Sequence, residues 1–113
     1  MKNLVLIIRE FEPSFDYHST AFRKLSHRVR KSANWRCEQC GINLSNDHLY
    51  LDAHHIWGTQ YNSLSDIEAL CIGCHAEQPG NGHLLLKNEL RYQEFMRRYG
   101  KRWKRLHAYL NFP

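Results

Sequence analysis

The sequence predicts a small α+β domain in which a β-hairpin lies between basic helices. Two Cys-x-x-Cys pairs, Cys37–Cys40 and Cys71–Cys74, bracket a segment of alternating apolar and polar residues. The segments outside this centre place apolar residues at helical spacing. The 113 residues are expected to form one domain, with an N-terminal strand and basic helix (1–33), a core (34–83) and a basic helical extension (84–113).

Residues 1–33 are expected to contain a strand or strap followed by a helix. Leu4–Ile8 is a short apolar run, and Pro13 ends it. Ser19 and Thr20 can cap a helix over about 21–31. Its predicted apolar face consists of Phe22, Leu25 and Val29.

Leu49–Ile56 is the best strand candidate, and Ile67–Leu70 predicts a short return strand after a polar loop. One strand face would carry Leu49, Leu51, Ala53 and His55, and the other Tyr50, Asp52, His54 and Ile56. Adjacent histidines on a regular strand point oppositely. His54 and His55 are therefore expected to serve one site only if the strand ends or bends there, and Gly58 favours such a bend.

The second half of the chain predicts helices separated by glycine-rich breaks. One helix should begin at His75, and Pro79–Gly82 should end it. A second is expected over about 84–98, with a further break at Gly100. Trp103, Leu106 and Leu110 share one face of the last segment, which is expected to dock on the core. A homodimer contact or another protein partner is the alternative for this face.

All four cysteines belong to the Cys-x-x-Cys pairs, so two disulfides or one metal site would use them all. The apolar run near the N-terminus is too short for a signal peptide, and no stretch approaches a membrane span. We therefore expect an intracellular, cytoplasmic protein without membrane association, whose reduced thiols bind a structural zinc ion.

Charge is segregated along the chain. Residues 37–86 contain six acidic residues and neither Lys nor Arg, whereas residues 1–36 and 87–113 each contain eight basic residues. The net charges of the three segments, in chain order, are +5, −6 and +6. This pattern favours a polyanion bound at the flanks and a cation bound in the centre.

The core closely resembles the HNH endonuclease family. The resemblance covers about residues 34–83 and depends on three motifs: Trp35–Gly41, Leu51–Ile56 and Ser63–His75. It implies a ββα-metal (His-Me finger) core stapled by a four-cysteine zinc site, and it implies hydrolysis of DNA phosphodiester bonds to 3′-hydroxyl and 5′-phosphate ends. A zinc ribbon would share the cysteines without the histidines.

The resemblance also implies residue roles. His55 matches the family's general base, and His54 and His75 match ligands of a catalytic divalent metal. His83 is a possible further ligand or a surface residue. Two imidazole ligands suit Mn, Ni, Co or Zn better than Mg. Asp66 stands where the family has Asn, and is expected to preserve part of a loop tether or to orient an imidazole directly.

The basic flanks are expected to contact the backbone of double-stranded DNA without reading its sequence. The candidate residues are Arg23, Arg28, Arg30, Lys31, Arg97, Arg98, Lys101, Arg102, Lys104 and Arg105. The alternative function is a zinc-stapled nucleic-acid-binding adaptor that lost cleavage through the change at Asp66. Trp57 is expected to pack rather than to stack on a base.

Overall fold

A computed structural model describes residues 15–80 and 82–110, so the predicted strand at Leu4–Ile8 lies outside the described residues. The elements in chain order are helix α1 (Thr20–Ser32), strand β1 (Leu51–His55), strand β2 (Ile67–Cys71), helix α2 (Ile72–Ala76) and helix α3 (Leu90–Leu110). Three 3-10 turns at His48–Tyr50, Leu64–Asp66 and His83–Asn88 connect them. The described part of the chain is therefore α+β, as predicted.

Helix α1 forms as predicted, because both its cap and its apolar face are present. The Ser19 hydroxyl oxygen accepts a hydrogen bond from the backbone N–H of Phe22 at 3.2 Å. Phe22 and Val29 are buried, and Leu25 packs half-buried against the same core. Helix α1 ends at Ser32, and Trp35, two residues past its C-cap, has a positive φ of 59°. This turn leads the chain directly into the first cysteine pair.

The hairpin is antiparallel, with Leu51 opposite Cys71 and His54 opposite Glu68. Strand β1 is shorter than the predicted 49–56 segment, because His48–Tyr50 adopts a 3-10 turn and leaves Leu49 61% exposed. Strand β2 confirms the predicted return strand and extends it by one residue into the second cysteine pair.

Helix α2 begins earlier than predicted. The Cys71 sulfur accepts a hydrogen bond from the backbone N–H of Cys74 at 3.4 Å, so the second cysteine pair itself forms the first turn. His75 consequently lies in the last turn of α2 rather than at its start.

The predicted break at Gly100 is wrong, because α3 runs without interruption from Leu90 to Leu110. A helical glycine costs about 1 kcal/mol relative to alanine. Burial of Phe95 and Trp103 on either side outweighs this cost, since fully burying one large apolar side chain contributes about 1.5–3 kcal/mol. The predicted docking of this helix is confirmed for Trp103 and Leu106, which pack on the core.

The core joins the hairpin, both cysteine pairs and the two long helices. Its fully buried members include Ile42, Leu44, Leu70, Ile72 and Phe95. Helix α1 contacts both strands, and α2 lies between the hairpin and α3. Within residues 15–80 and 82–110, the helices are too short or too polar to cross a lipid bilayer.

Candidate metal centres and catalytic site

The four cysteines form one buried cluster, and their sulfur atoms all lie within 4.8 Å of one another. The Cys40 and Cys71 sulfurs are 3.8 Å apart, well beyond a disulfide bond. Four sulfurs at about 2.3 Å from a tetrahedral zinc ion would be separated by about 3.8 Å. The cluster therefore fits a tetrahedral structural metal ion.

Hydrogen-bond donors already surround these sulfurs. The backbone N–H of Cys40 donates to the Cys37 sulfur, and the indole N–H of Trp103 donates to the Cys74 sulfur, each at 3.4 Å. Hydrogen bonds from the other three cysteines lower the pKa of Cys37 below its usual value. Hydrogen bonding to Cys37 and its neighbours raises the pKa of Cys71. Ionisation of one cysteine thus opposes ionisation of its neighbours. A bound cation would remove this opposition, because its positive charge stabilises all four thiolates together.

A second cluster consists of three half-buried histidines, His54, His75 and His83. His54 comes from β1, His75 from α2 and His83 from the turn after the Pro79–Gly82 segment. Their ring centroids are separated by 5.0–5.2 Å, and their ligand nitrogens all lie within 4.8 Å of one another. The structure thus brings together the two predicted ligands and the possible third one.

Each of these histidines has an oxygen partner at Nδ1. His54 pairs with Glu68 at 3.2 Å and His75 with Asp52 at 2.8 Å, and His83 bonds to the backbone oxygen of Pro79 at 2.8 Å. An acceptor at Nδ1 fixes the proton there in the neutral ring, so Nε2 carries the lone pair. All three rings are therefore prepared to bind an ion through Nε2.

Electrostatics favour a neutral imidazole at His54 and an ionised carboxylate at Asp52. Burial lowers the pKa of His54, and the neighbouring imidazoles lower it further against the opposing effect of Glu68. Burial opposes ionisation of Asp52, but hydrogen bonds from His75 and Arg91 outweigh it and lower the pKa of Asp52. Neutral imidazole is the form that binds a metal ion.

His55 does not join this cluster, because consecutive residues of β1 point to opposite faces of the hairpin. Its ring stacks on Phe22 of α1 at a centroid distance of 5.3 Å and an interplanar angle of 18°. Phe15 makes an edge contact at 4.9 Å. His54 and His55 therefore lie on opposite faces of β1, and β1 has no bend between them that would bring both rings into one cluster.

Asn62 orients the His55 ring. The Asn62 amide nitrogen donates to the backbone oxygen of Thr59 at 2.7 Å, so its oxygen faces His55 Nε2 at 2.9 Å. An amide oxygen only accepts, and the proton of this bond must therefore reside on Nε2. In the neutral His55 ring the lone pair then lies on Nδ1, which can accept a proton.

Asp66 acts as the loop tether and not as the imidazole partner. Its carboxylate accepts hydrogen bonds from the backbone N–H of Ser63 at 3.0 Å and from the Ser63 hydroxyl at 2.6 Å. These hydrogen bonds lower the pKa of Asp66. The backbone oxygen of Asp66 also accepts from the N–H of Ile56 at 2.9 Å, which closes the loop below His55.

Most of the predicted DNA-contacting cations are exposed. Four basic side chains of α1 (Arg23, Lys24, His27 and Arg28), together with Thr20, line a shallow cavity of about 480 Å³. Arg30 differs from this group, because it is half-buried over the Trp35 ring at 5.3 Å and donates to the Ser26 backbone oxygen. Arg98 pairs with Asp47 at 3.6 Å. The exposed cations of α3 are Arg97, Arg98, Lys101, Arg102, Lys104 and Arg105.

Three further residues differ from expectation or were missed. Trp57 was expected to pack, but its side chain is 67% exposed. Asn62 and Arg91 were not identified as site residues. Asn62 lies in a polar loop and Arg91 is 39 positions from Asp52. The sequence feature that could have indicated the role of Asn62 is its amide side chain, seven positions after His55.

Part of the chain is similar to the Zorya protein ZorE of Escherichia coli strain Crooks. The two are 36% identical over 59 residues, which is 51% of this chain and 16% of ZorE. The chain thus covers less than a fifth of that relative. No family model matches the chain, and no solved structure matches it.

Proposed function

We propose that this protein is a metal-dependent endonuclease of the HNH type that hydrolyses DNA phosphodiester bonds. The observation that supports this most is the convergence of His54, His75 and His83, together with the next residue of β1, His55, whose ring is oriented by Asn62. We assign β1, β2 and α2 to a ββα-metal unit, since this order places one ligand on the hairpin and one on the helix.

Two different metal ions suit the two sites. The four buried cysteines fit a structural zinc ion, whose binding contributes folding free energy. The three imidazoles provide nitrogen ligands in a half-buried position, which suits Ni, Co, Zn or Mn better than Mg. When bound, this second ion would supply Lewis-acid stabilisation of the charge that develops on the phosphate and the leaving oxygen.

His55 is the proposed general base. Asn62 holds the proton on Nε2, so Nδ1 can take a proton from the attacking water. Hydrolysis at phosphorus places the attacking and leaving oxygens roughly in line, on opposite sides of the phosphorus atom. Because His54 and His55 are consecutive and face opposite sides of β1, the proposal requires the scissile phosphate to lie at the end of this strand, where the His55 ring and an ion bound by His54 could both reach it.

The exposed cations of α1 and α3 are the proposed contacts to the DNA backbone. Helix α1 packs on the hairpin, and its Phe22 side chain stacks on His55. The cations that line the cavity lie on this same helix. Backbone contacts of this kind bind without reading sequence. Replacing both Arg23 and Arg28 by Gln should reduce the slope of log affinity against log salt by up to about 2, since each phosphate contact contributes roughly 0.9.

Cleavage of a plasmid in the presence of individual divalent metals tests the proposal. Cleavage should occur with Ni²⁺ or Mn²⁺, and His55→Ala should abolish it while the protein remains folded and binds DNA with unchanged affinity. The melting temperature of His55→Ala should fall slightly, because the ring stacks on Phe22. His48→Ala is the matched control, because it removes a comparable stacking contact, that of His48 on Trp35, and His48 belongs to neither cluster. Absence of cleavage with every metal, combined with retained DNA binding, would instead support the adaptor function.

A further inference from the structure

The first turn of α3 reaches across to the hairpin through Arg91. Its guanidinium donates to the two carboxylate oxygens of Asp52 at 2.7 and 3.4 Å, and also to the backbone oxygen of Leu49 at 2.7 Å. Asp52 in turn accepts from Nδ1 of His75 at 2.8 Å. A continuous chain of hydrogen bonds therefore connects α3 to one imidazole of the three-histidine cluster.

The geometry leaves Asp52 little freedom. Its side chain is 14% exposed, and its two oxygens are shared between Arg91 and His75. Arg91 is itself only 28% exposed, and Glu89 lies 3.6 Å from its Nε. A planar guanidinium that binds a carboxylate through two hydrogen bonds restricts both its position and its plane, which an ammonium group cannot do.

We propose that Arg91 is a positioning residue of the three-histidine metal site, acting through Asp52 to hold His75 with Nε2 directed at the ion. This inference rests on the proposed metal site. A carboxylate bonded to a ligand imidazole fixes the ring's tautomer and orientation, and loss of such partners typically weakens metal binding 10–100-fold. Helix α3 thus contributes to the site although none of its residues belongs to the histidine cluster.

Titration with Ni²⁺ of the 113-residue chain, already loaded with one zinc ion, tests this role. Arg91→Gln should weaken Ni²⁺ binding 10–100-fold, and Arg91→Lys should restore part of the loss because it keeps the charge. Arg98→Gln is the matched control for Ni²⁺ binding. It removes another arginine of α3 that pairs with a carboxylate, Asp47 at 3.6 Å, and it should leave Ni²⁺ affinity unchanged.

A double-mutant cycle separates positioning from a general loss of stability. If Arg91 acts through Asp52, then Arg91→Gln should have little further effect on Ni²⁺ affinity in an Asp52→Asn background. The ¹⁵N NMR signals of His75 in the metal-free protein should also show loss of the Nδ1-protonated form in Arg91→Gln, at a temperature where the variant is fully folded.

The outcomes are distinguishable. If the wild-type protein binds no Ni²⁺ beyond its zinc ion, both the proposed metal site and the role of Arg91 are wrong. If the wild-type protein binds Ni²⁺ and Arg91→Gln binds it equally well, only the role of Arg91 is wrong. Additive effects of Arg91→Gln and Asp52→Asn would likewise overturn it.

Discussion

Adding one methyl group at Gly73 should disturb the cysteine cluster. Gly73 lies between Cys71 and Cys74 at the start of α2, under the indole of Trp103. A Cβ atom there would lie 2.6 Å from two indole ring atoms and 3.0 Å from a ring carbon of Phe95. Both rings are buried, so neither can move aside without shifting α3.

The magnitude for Gly73→Ala follows from three contributions. Overpacking of a buried site costs about 1–3 kcal/mol. Displacing the indole also weakens its hydrogen bond to the Cys74 sulfur, which is worth about 0.5–1.5 kcal/mol. Replacing glycine by alanine in a helix returns at most about 1 kcal/mol. The free energy of unfolding should therefore fall by about 1–3 kcal/mol, which lowers the melting temperature by about 4–12 °C.

Gly100→Ala is the matched control in the other direction. The nearest atoms to a Cβ at Gly100 belong to Met96, at 3.7 and 3.8 Å, which is ordinary contact. This variant should be stabilised by about 0.5–1 kcal/mol, because alanine favours the helix interior. Thermal and urea unfolding of the zinc-loaded proteins would measure both changes. Equal or greater stability of Gly73→Ala would refute the packing described for Trp103 and α2.

Three further outcomes follow from the same contacts. Removal of zinc with a chelator, or the substitution Cys37→Ser, should abolish the cooperative thermal transition in circular dichroism. A chelated protein that still melts cooperatively would show that the cysteine cluster needs no metal. Asn62→Ala should lower the cleavage rate about 10–100-fold at unchanged melting temperature, because a positioned general base accounts for a rate factor of about 10²–10⁴. An unchanged rate would show that Asn62 does not orient His55. Trp57→Ala should change the free energy of unfolding by less than about 0.5 kcal/mol in urea titrations, as expected for an exposed side chain. A loss above about 2 kcal/mol would indicate that Trp57 packs after all.

Local patterns predicted the parts of this fold that depend on near neighbours. The period of two along 49–56 correctly placed Asp52 and His54 on one face, and both contact or approach His75. The helical spacing of Phe22, Leu25 and Val29 identified α1. The cysteine spacing predicted the buried four-cysteine cluster.

Long-range contacts could not be predicted from these patterns. Glycine weakens a helix locally, but Gly100 lies between two buried aromatic residues whose packing depends on the rest of the core. In the sequence, nothing distinguishes Arg91 from the other basic residues of α3. Only the fold places it beside Asp52. The partner of Asp66 is, by contrast, a local one: Ser63 and Asp66 have the Ser-x-x-acid spacing of a capping box, which the sequence did contain.

The two cysteine pairs also determine which of the adjacent histidines faces which side. Sliding one strand past the other by a single position would turn every side chain of that strand over and exchange His54 for His55. Cys71 anchors one end of β2 opposite Leu51, and the backbone N–H of Glu38 binds the oxygen of Ala69 at 2.8 Å next to the other pair. The cysteine cluster therefore fixes the register of the hairpin. This register keeps His54 on the face of the three-histidine cluster and His55 on the opposite face, although neither histidine belongs to the cysteine cluster.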